Sequence, residues 1–213
     1  MALLDEIYEC GEVVTPKGEV LKMHSGISRD EGKFIYNLIQ SDPRISHTLE
    51  VGCAYGLSSL NICAALRGRD GAKHIIVDPF QNTQWQSVGI SNLIREGLSW
   101  FELIEERSEF ALPRIVASRE NQFEFIFIDG WHTFDHTMID CFYATRLLDV
   151  GGYLVIDDAN FPSISKVIRY LENYPCYQRV GSVKIDPGSE RSSLVALQKR
   201  TEDFRPWNWY ADF

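Results

Sequence analysis

The stretch at residues 48–59, Thr-Leu-Glu-Val-Gly-Cys-Ala-Tyr-Gly-Leu-Ser-Ser, constrains the fold more than any other part of the chain. An apolar run ends at Gly52, a short turn leads to Gly56, and apolar residues then recur at helical spacing. Glycine lets the backbone turn sharply and lets a ligand approach it closely. Free N–H groups at the start of the following helix would face that ligand. The stretch therefore predicts a strand, a glycine-rich loop and a helix, the first unit of a nucleotide-binding α/β fold.

The glycine spacing narrows the class of ligand. A dinucleotide fingerprint has the pattern G-x-G-x-x-G, but residue 54 is alanine and the next glycine after Gly52 is Gly56. Counted from Glu50, the pattern is E-x-G-x-x-x-G, which resembles motif I of class I S-adenosylmethionine-dependent methyltransferases. A strand, turn and helix without a ligand is the alternative for this stretch taken by itself.

Strands and helices alternate along the remaining chain. The predicted strands lie near residues 47–52, 73–79, 101–106, 123–130, 153–156, 177–184 and 193–198, and the predicted helices near 29–40, 57–66, 84–97, 109–119, 133–148 and 163–173. Such alternation predicts an α/β fold with a parallel sheet and right-handed crossovers. We expect a Rossmann-like class I methyltransferase fold: a seven-stranded, mostly parallel sheet with helices on both faces and an antiparallel C-terminal hairpin.

The length of 213 residues fits one domain. Within it we expect an N-terminal cover and helix over residues 1–42, with a turn at 15–18, then a Rossmann-like core over 43–200 and an aromatic tail over 201–213. The cover itself lacks a strong hydrophobic period.

Composition excludes several classes of partner. The net charge is −9 and no cluster of Lys and Arg occurs, which argues against nucleic acid. No apolar run reaches the roughly 18–20 residues that span a bilayer, and the N-terminus has no basic leader. Five scattered cysteines, with no Cys-x-x-Cys pair, favour reduced thiols in a cytoplasmic protein.

A cofactor site is expected where the first strands of the sheet end. Asp78 closes the second strand, and an acid there accepts hydrogen bonds from ribose hydroxyls in dinucleotide folds; a solvated acid at a strand end is the alternative. The resemblance to class I methyltransferases covers most of the chain. It implies that the motif I residues lie against the cofactor and that the loop at 107–109 meets the adenine.

A segment before the core extends this resemblance. Residues 23–34, Met-His-Ser-Gly-Ile-Ser-Arg-Asp-Glu-Gly-Lys-Phe, resemble the segment that precedes the core in caffeoyl-CoA and catechol-type O-methyltransferases, where it lies over the cofactor. A surface linker feeding a helix is the alternative, and Ser28 and Glu31 have the form of a capping box. The predicted cofactor-binding residues are Met23, Ser25, Glu50, Gly52, Cys53, Gly56, Asp78, Ser108, Glu109 and Asp129.

Three carboxylates follow two later strands. Asp129 ends the fourth strand of the core, and Asp157 and Asp158 end the fifth. Carboxylates that converge at one edge of a sheet repel each other strongly, and a divalent cation removes that cost. Oxygen ligands suit Mg²⁺, with Mn²⁺ or Ca²⁺ as substitutes. Asp129, Asp157 and Asp158 are thus candidate metal ligands; the alternative is that they cap and turn the loops that follow.

The stretch from Asp129 to Asp158 resembles the metal-dependent O-methyltransferases, especially those that methylate sugar hydroxyls of macrolides. That resemblance implies a Mg²⁺ site at the three acids and a histidine base three residues after the first acid, where His132 stands. In the catechol type the second acid of the later pair is replaced by Asn, which here would require a shifted register to Asn160. A zinc pair of His132 and His136 would need a third ligand from elsewhere.

These observations predict an S-adenosylmethionine-dependent methyltransferase that transfers a methyl group to a hydroxyl of a sugar or other small molecule, with a divalent metal and with His132 as base. A histidine base contributes typically 10²–10⁴-fold to a proton transfer. The alternatives are a metal-independent methyltransferase acting on another acceptor and a catalytically degenerate, methyltransferase-like binding module. A homo-oligomer remains open, because the aromatic tail would suit a dimer contact.

Overall fold

The computed structural model describes residues 2–118 and 123–213. Its helices are α1 (Ala2–Cys10), α2 (Arg29–Ser41), α3 (Leu57–Ala65), α4 (Val88–Arg95), α5 (Ser108–Ser118), α6 (Phe134–Leu147) and α7 (Pro162–Glu172). Its strands are β1 (Glu12–Val14), β2 (Val20–Lys22), β3 (His47–Val51), β4 (Lys73–Val77), β5 (Phe101–Ile104), β6 (Phe123–Ile128), β7 (Leu148–Ile156), β8 (Tyr177–Lys184) and β9 (Ser192–Lys199).

The main sheet of the described residues has seven strands in the order β5-β4-β3-β6-β7-β9-β8. Strands β5, β4, β3, β6 and β7 are parallel, and β9 pairs antiparallel with both β7 and β8. At the carboxyl edge Val51 stands opposite Val77 on one side and Ile128 on the other. The order reverses direction between β3 and β6, so a crevice forms there, where open α/β sheets bind ligands. The predicted fold class is confirmed.

The core strands are apolar on both faces because helices cover both. In β6 the side chains alternate between two clusters: Phe125 and Phe127 face the cluster beneath α2 and α3, and Ile126 and Ile128 face the one beneath α5, α6 and α7. Helices cover both faces of parallel sheets, so such strands read as nearly continuous apolar runs. None of the helices in the described ranges is both long enough and apolar enough to cross a membrane.

Residues 2–42 precede the main sheet and contain two helices and a two-stranded sheet. Helix α1 leads into a small hairpin of β1 and β2, whose turn falls at residues 15–18. Helix α2 begins with the predicted capping box, because the Ser28 hydroxyl accepts from the Glu31 N–H and the Glu31 carboxylate accepts from the Ser28 N–H. The hairpin is an addition that the weak sequence pattern of this region did not predict.

Several boundaries differ from those expected. Helix α4 starts at Val88 rather than 84, because residues 80–87 form turns in which Gln86 and Ser87 have positive φ angles of 49° and 58°. Strand β7 starts at Leu148 rather than 153, because Leu148 already pairs with Phe123, and a register shift separates that pair from the pairing of Tyr153 with Phe125. The end predicted for the fifth helix, residue 119, lies outside the described residues.

The junction between α6 and β7 has no connecting loop. Helix α6 ends at Leu147 and β7 begins at Leu148. The ammonium of Lys199, a residue only 1% exposed, donates to the carbonyl oxygens of Thr145 (3.1 Å) and Leu148 (2.7 Å) and pairs with Glu202 at 3.0 Å. A buried cation therefore satisfies carbonyl groups that the end of the helix leaves free.

Candidate active site

The glycine-rich loop connects β3 to α3 at the reversal of the sheet. Gly52 has a φ of +87°, and a Cβ there would overlap the carbonyl oxygen of Asp129. Gly56 has a φ of +82° and forms the N-cap of α3, where a Cβ would lie 2.8 Å from the carbonyl oxygen of Gly89. The predicted sharp turn is confirmed. The close approach that excludes a side chain at these two positions is, however, between parts of the chain itself, rather than toward a ligand.

Asp78 lies under this loop and is 2% exposed. Its Oδ2 accepts from the N–H groups of Cys53 and Ala54 and from the Gln81 amide, each at 3.0 Å. Its Oδ1 accepts from the Phe80 N–H at 2.8 Å. Each carboxylate oxygen has about two acceptor positions, so Oδ1, with one donor, keeps capacity for a second, whereas Oδ2 is fully used. Asp78 and Cys53, both predicted from the sequence, are therefore joined directly.

Glu50 occupies a closed polar network one layer below. Its side chain is fully buried; one oxygen accepts from the Ser59 hydroxyl and lies 3.0 Å from Nε2 of His74. The other ring nitrogen of His74 lies 2.9 Å from the Thr48 hydroxyl. Oε1 of Glu50 has no partner among the described residues. The carboxylate thus places an uncompensated oxygen beneath the glycine loop.

The segment predicted to lie over the cofactor does reach the loop. The ring of His24 lies 2.9 Å from the Tyr55 hydroxyl and stacks on Trp85, with ring centroids 5.7 Å apart. Both Met23 and Ser25, its neighbours in the chain, are partly buried. The segment continues across the start of α3, because a Cβ on Gly26 would lie 3.2 Å from the side chain of Leu57.

Ser108 and Glu109 begin helix α5, where the sequence predicted contact with the adenine. Glu109 pairs with Arg107 at 3.7 Å. Behind them Asp140, on α6, is 1% exposed, and neither carboxylate oxygen has a partner of good geometry among the described residues. Burial raises the pKa of Asp140 from its usual 3.8 to about 6, and the Ser108 hydroxyl offsets only part of that effect. Nothing in the sequence pattern distinguishes Asp140 from other helical acids.

The acidic edge brings a histidine and two carboxylates together. Nε2 of His132 lies 3.2 Å from Oδ1 of Asp129 and 3.2 Å from Oδ2 of Asp158. Potential ligand atoms of these three residues all lie within 4.8 Å of one another. Asp158 holds a positive φ of 50°, a strained conformation for a residue with a side chain. Strain of this kind persists where the surroundings impose it, frequently at functional sites.

Electrostatics at this edge favour a cation. Burial, and then the charge of Asp158, raise the pKa of Asp129. Burial raises the pKa of Asp157, with Asp129 as the next cause. Burial also raises the pKa of Asp158, against the lowering effect of His132. Several acids therefore lie close together with one imidazole beside them, and a metal ion would relieve the repulsion between the carboxylates.

Glu31 is an acid of this edge that the sequence did not assign to the site. It is 6% exposed, and its charge raises the pKa of Asp129, Asp157 and Asp158. The one sequence feature that pointed to Glu31 was its place in the capping box, which predicts a helix start and not a role in the site.

Two candidate metal ligands considered from the sequence lie outside the cluster of Asp129, His132 and Asp158. Asp157 is 8% exposed, and in the described part of the chain its carboxylate is not one of the three clustered ligand groups. His136, the partner of the alternative zinc pair, is likewise outside that cluster, and its Nδ1 lies 2.8 Å from the Thr133 hydroxyl.

Aromatic side chains surround the acidic edge. Trp131 is 59% exposed, Phe134 37% and Phe161 40%. The Phe161 ring meets the ring of His132 edge to face at 5.7 Å. Exposed aromatic rings grouped around a polar centre are typical of a binding site for a small molecule.

The family follows from a match to a family model described as a methyltransferase domain, which spans residues 49–159, just over half of the chain. The chain belongs to the methyltransferase-domain family. The match runs from the glycine-rich strand through Asp129 to the pair at 157–158, so it contains most of the site described above. It confirms the predicted enzyme class, an S-adenosylmethionine-dependent methyltransferase with the class I fold. A search of curated proteins found no match.

Solved structures share the fold at low identity. An O-methyltransferase from Bacillus cereus, solved in complex with S-adenosylhomocysteine, is 19% identical, with 93% of this chain and 91% of that chain covered and a TM-score of 0.69. TomG from Streptomyces achromogenes is an O-methyltransferase involved in tomaymycin synthesis that was solved with S-adenosylmethionine. It is 18% identical, the alignment covers 83% of this chain and 82% of TomG, and the TM-score is 0.65. A methyltransferase from Podospora anserina is 16% identical; the alignment covers 94% of this chain and 89% of that protein, and the TM-score is 0.69.

Proposed function

We propose that this methyltransferase transfers a methyl group from S-adenosylmethionine to a hydroxyl of a sugar or other small molecule in the cytoplasm, assisted by a divalent cation. The observation that carries the proposal is the position of His132, whose Nε2 lies 3.2 Å from carboxylate oxygens of both Asp129 and Asp158. A titratable nitrogen held against two acids is a typical arrangement for proton transfer beside a metal.

The cofactor would be held along the glycine loop. Oδ1 of Asp78 retains capacity for a ribose hydroxyl, and the segment at residues 23–25 would cover the site from above. The unpartnered Oε1 of Glu50 favours a ligand with positive charge near the loop. S-adenosylmethionine, when bound, supplies an electrophilic methyl group on a sulfonium cation. The acids below the loop fit that charge.

The cation would be held by Asp129 and Asp158, with Asp157 and Glu31 adding negative charge nearby. Carboxylate oxygens suit Mg²⁺ or Mn²⁺. When bound, such an ion lowers the pKa of an acceptor hydroxyl. The clustering of Asp129 and Asp158 supports the fit, together with burial and then mutual repulsion, which raise the pKa values of Asp129 and Asp157.

The chain positions His132 as a base. The Ser163 hydroxyl donates to the His132 carbonyl oxygen at 2.8 Å, and the Phe161 ring packs against the imidazole. These contacts fix the direction of Nε2 while leaving the side chain 40% exposed, so an acceptor can reach it. Acting as the base, the imidazole would accept the proton of the acceptor hydroxyl, a contribution of roughly 10²–10⁴-fold.

The comparisons support a hydroxyl acceptor without identifying it. Structures named as O-methyltransferases share the fold across most of their length. The net charge of −9 supports a small molecule over a nucleic acid. The five cysteines are all free, which is consistent with the reduced cytoplasm.

The central test measures cation and cofactor binding separately. Titration calorimetry with S-adenosylhomocysteine and Mn²⁺ titration by electron paramagnetic resonance are applied to the wild type, to Asp129→Asn and Asp158→Asn, and to the exposed control Asp70→Asn. We expect the two site variants to lose Mn²⁺ affinity by at least about ten-fold and to keep affinity for S-adenosylhomocysteine. The control should change neither. An equal loss of affinity for S-adenosylhomocysteine would contradict the proposal that the cation and the cofactor bind at separate parts of the sheet edge.

The role of His132 is tested by His132→Gln. A base predicts that turnover falls by about 10²–10⁴-fold while Mn²⁺ affinity stays within about two-fold. A metal ligand predicts that both fall together. Turnover that is unchanged in EDTA would instead favour the metal-independent alternative.

A further inference from the structure

A cavity of about 450 Å³ opens beside the acidic edge. Its lining consists of Phe134, Pro162, Ser163, Lys166 and Phe213. The volume lies within the range of roughly 300–1,000 Å³ that is usual for small-molecule sites. None of these residues is among the predicted catalytic, cofactor-binding or metal-binding residues.

The cavity adjoins the proposed base through a direct contact. Ser163, in its wall, donates its hydroxyl hydrogen to the carbonyl oxygen of His132 at 2.8 Å. Phe161 precedes the wall residue Pro162 and contacts the imidazole edge to face. A molecule in the cavity would therefore lie close to the segment that carries His132.

Two aromatic rings form an apolar wall. Phe134 and Phe213 are stacked, with centroids 6.1 Å apart and planes 7° apart, yet they remain 37% and 50% exposed. The tail that carries Phe213 is anchored to α7, because Phe213 also packs on Tyr170 at 4.6 Å and Trp209 packs on the same ring at 5.9 Å. The tail thus brings a ring to the cavity in a fixed position.

One cation stands on the cavity wall. Lys166 lies one turn beyond Pro162 on α7 and is exposed, and in the described part of the chain its ammonium forms no ion pair. Helix α7 also begins at this wall, and its N-cap, Phe161, makes no side-chain capping bond. The positive end of the helix and Lys166 therefore both face this cavity, close to an edge that is otherwise strongly acidic.

We propose that this cavity binds the methyl acceptor, and that it selects an acceptor with a flat apolar body and an acidic group such as a carboxylate, sulfonate or phosphate. The apolar body packs against Phe134 and Phe213, and the acidic group meets Lys166. Specificity thus depends in part on the aromatic tail. This inference rests on the proposed function, because it takes His132 as the reacting end of the site.

The test uses two fluorescent probes of similar shape. 1-Anilinonaphthalene-8-sulfonate has a flat apolar body and an anion, whereas N-phenyl-1-naphthylamine lacks the sulfonate. Both are titrated into the enzyme saturated with S-adenosylhomocysteine, for the wild type, Lys166→Gln, Phe213→Ala and the exposed control Lys17→Gln. Thermal melts check that each variant is folded.

We expect Lys166→Gln to weaken binding of the sulfonate probe about five- to ten-fold without changing that of the neutral probe. Phe213→Ala should weaken binding of both probes about five-fold, and Lys17→Gln should alter neither. The absence of saturable sulfonate binding to the wild type, equal affinities for Lys166→Gln and wild type, or displacement of the probe by S-adenosylhomocysteine would each overturn the proposal.

The two failures are distinguishable. Calorimetry with S-adenosylhomocysteine reports on the proposed function without involving the cavity. If the cofactor and Mn²⁺ bind as expected while the sulfonate probe binds Lys166→Gln as tightly as the wild type, the acceptor assignment is wrong and the proposed function stands. If the cofactor does not bind, the acceptor assignment is overturned together with the function.

Discussion

Replacing Asp140 by asparagine should make the protein more stable at neutral pH and leave it nearly unchanged in acid. The carboxyl is 1% exposed and has no hydrogen-bond partner of good geometry among the described residues. Burial raises its pKa from the usual 3.8 to about 6. Below the lower value the group is protonated in both the folded and the unfolded chain, so it contributes no dependence on pH there.

The sign and the size follow from proton linkage. As the pH rises between these two pKa values, the unfolded chain loses the proton and the folded chain retains it, so the free energy of unfolding falls. A difference of about two pK units, at about 1.36 kcal/mol each, corresponds to about 3 kcal/mol over the full range. Between pH 4.5 and 7.5 the expected fall is about 2 kcal/mol. Asparagine cannot ionise and avoids this loss.

Urea unfolding at pH 4.5 and pH 7.5 measures the effect. We expect the free energy of unfolding of Asp140→Asn, relative to the wild type, to increase by about 2 kcal/mol between the two values. The other buried acids titrate in both proteins, so their effects cancel in this difference. Asp70→Asn, at an exposed position, should show no such change. A difference between Asp140→Asn and wild type that stays constant across the pH range would refute the assignment of an uncompensated carboxyl to this position.

Three further substitutions test the frame of the site. Gly52→Ala forces a side chain onto a positive φ and into a neighbouring carbonyl oxygen, and should lower the free energy of unfolding by about 2–4 kcal/mol in urea. Lys199→Met leaves two buried carbonyl groups without a donor and should cost about 1–3 kcal/mol, against nearly nothing for the exposed control Lys184→Met; equal melting temperatures would contradict this. Tyr55→Phe removes the bond to His24 and should increase hydrogen exchange over residues 20–28, with little change in global stability.

The order of strands and helices was predictable because each buried strand carries its own signal. Apolar runs that end in glycine or an acid mark the carboxyl edge, and capping residues mark the helix starts, as at Ser28 and Glu31. The hairpin of β1 and β2 was not predictable in this way, since its short strands are stabilised by packing against the rest of the fold. Likewise, the late start of α4 depends on the positive φ angles of residues 86 and 87, which no periodicity reports.

The site was predictable to the extent that it follows strand ends. Asp78, Asp129 and Asp158 stand where a parallel sheet places such residues. Glu31 and Asp140 come from helices instead, and they reach the site only through the packing of α2 and α6. The sequence shows that both residues are acidic. Their burial, which makes their charge important at the site, arises only when the helices pack on the sheet.

The four donors on Asp78 have a consequence for cofactor entry. Because the carboxylate already holds the backbone N–H groups of residues 53 and 54, the loop proposed to bind the cofactor is ordered by an anion of the chain itself before any ligand binds. The loop then loses little conformational entropy when a ligand binds, which favours tight binding for a given contact area. Loss of this one carboxylate would therefore loosen the loop and, on the proposed function, also remove the contact with the ribose.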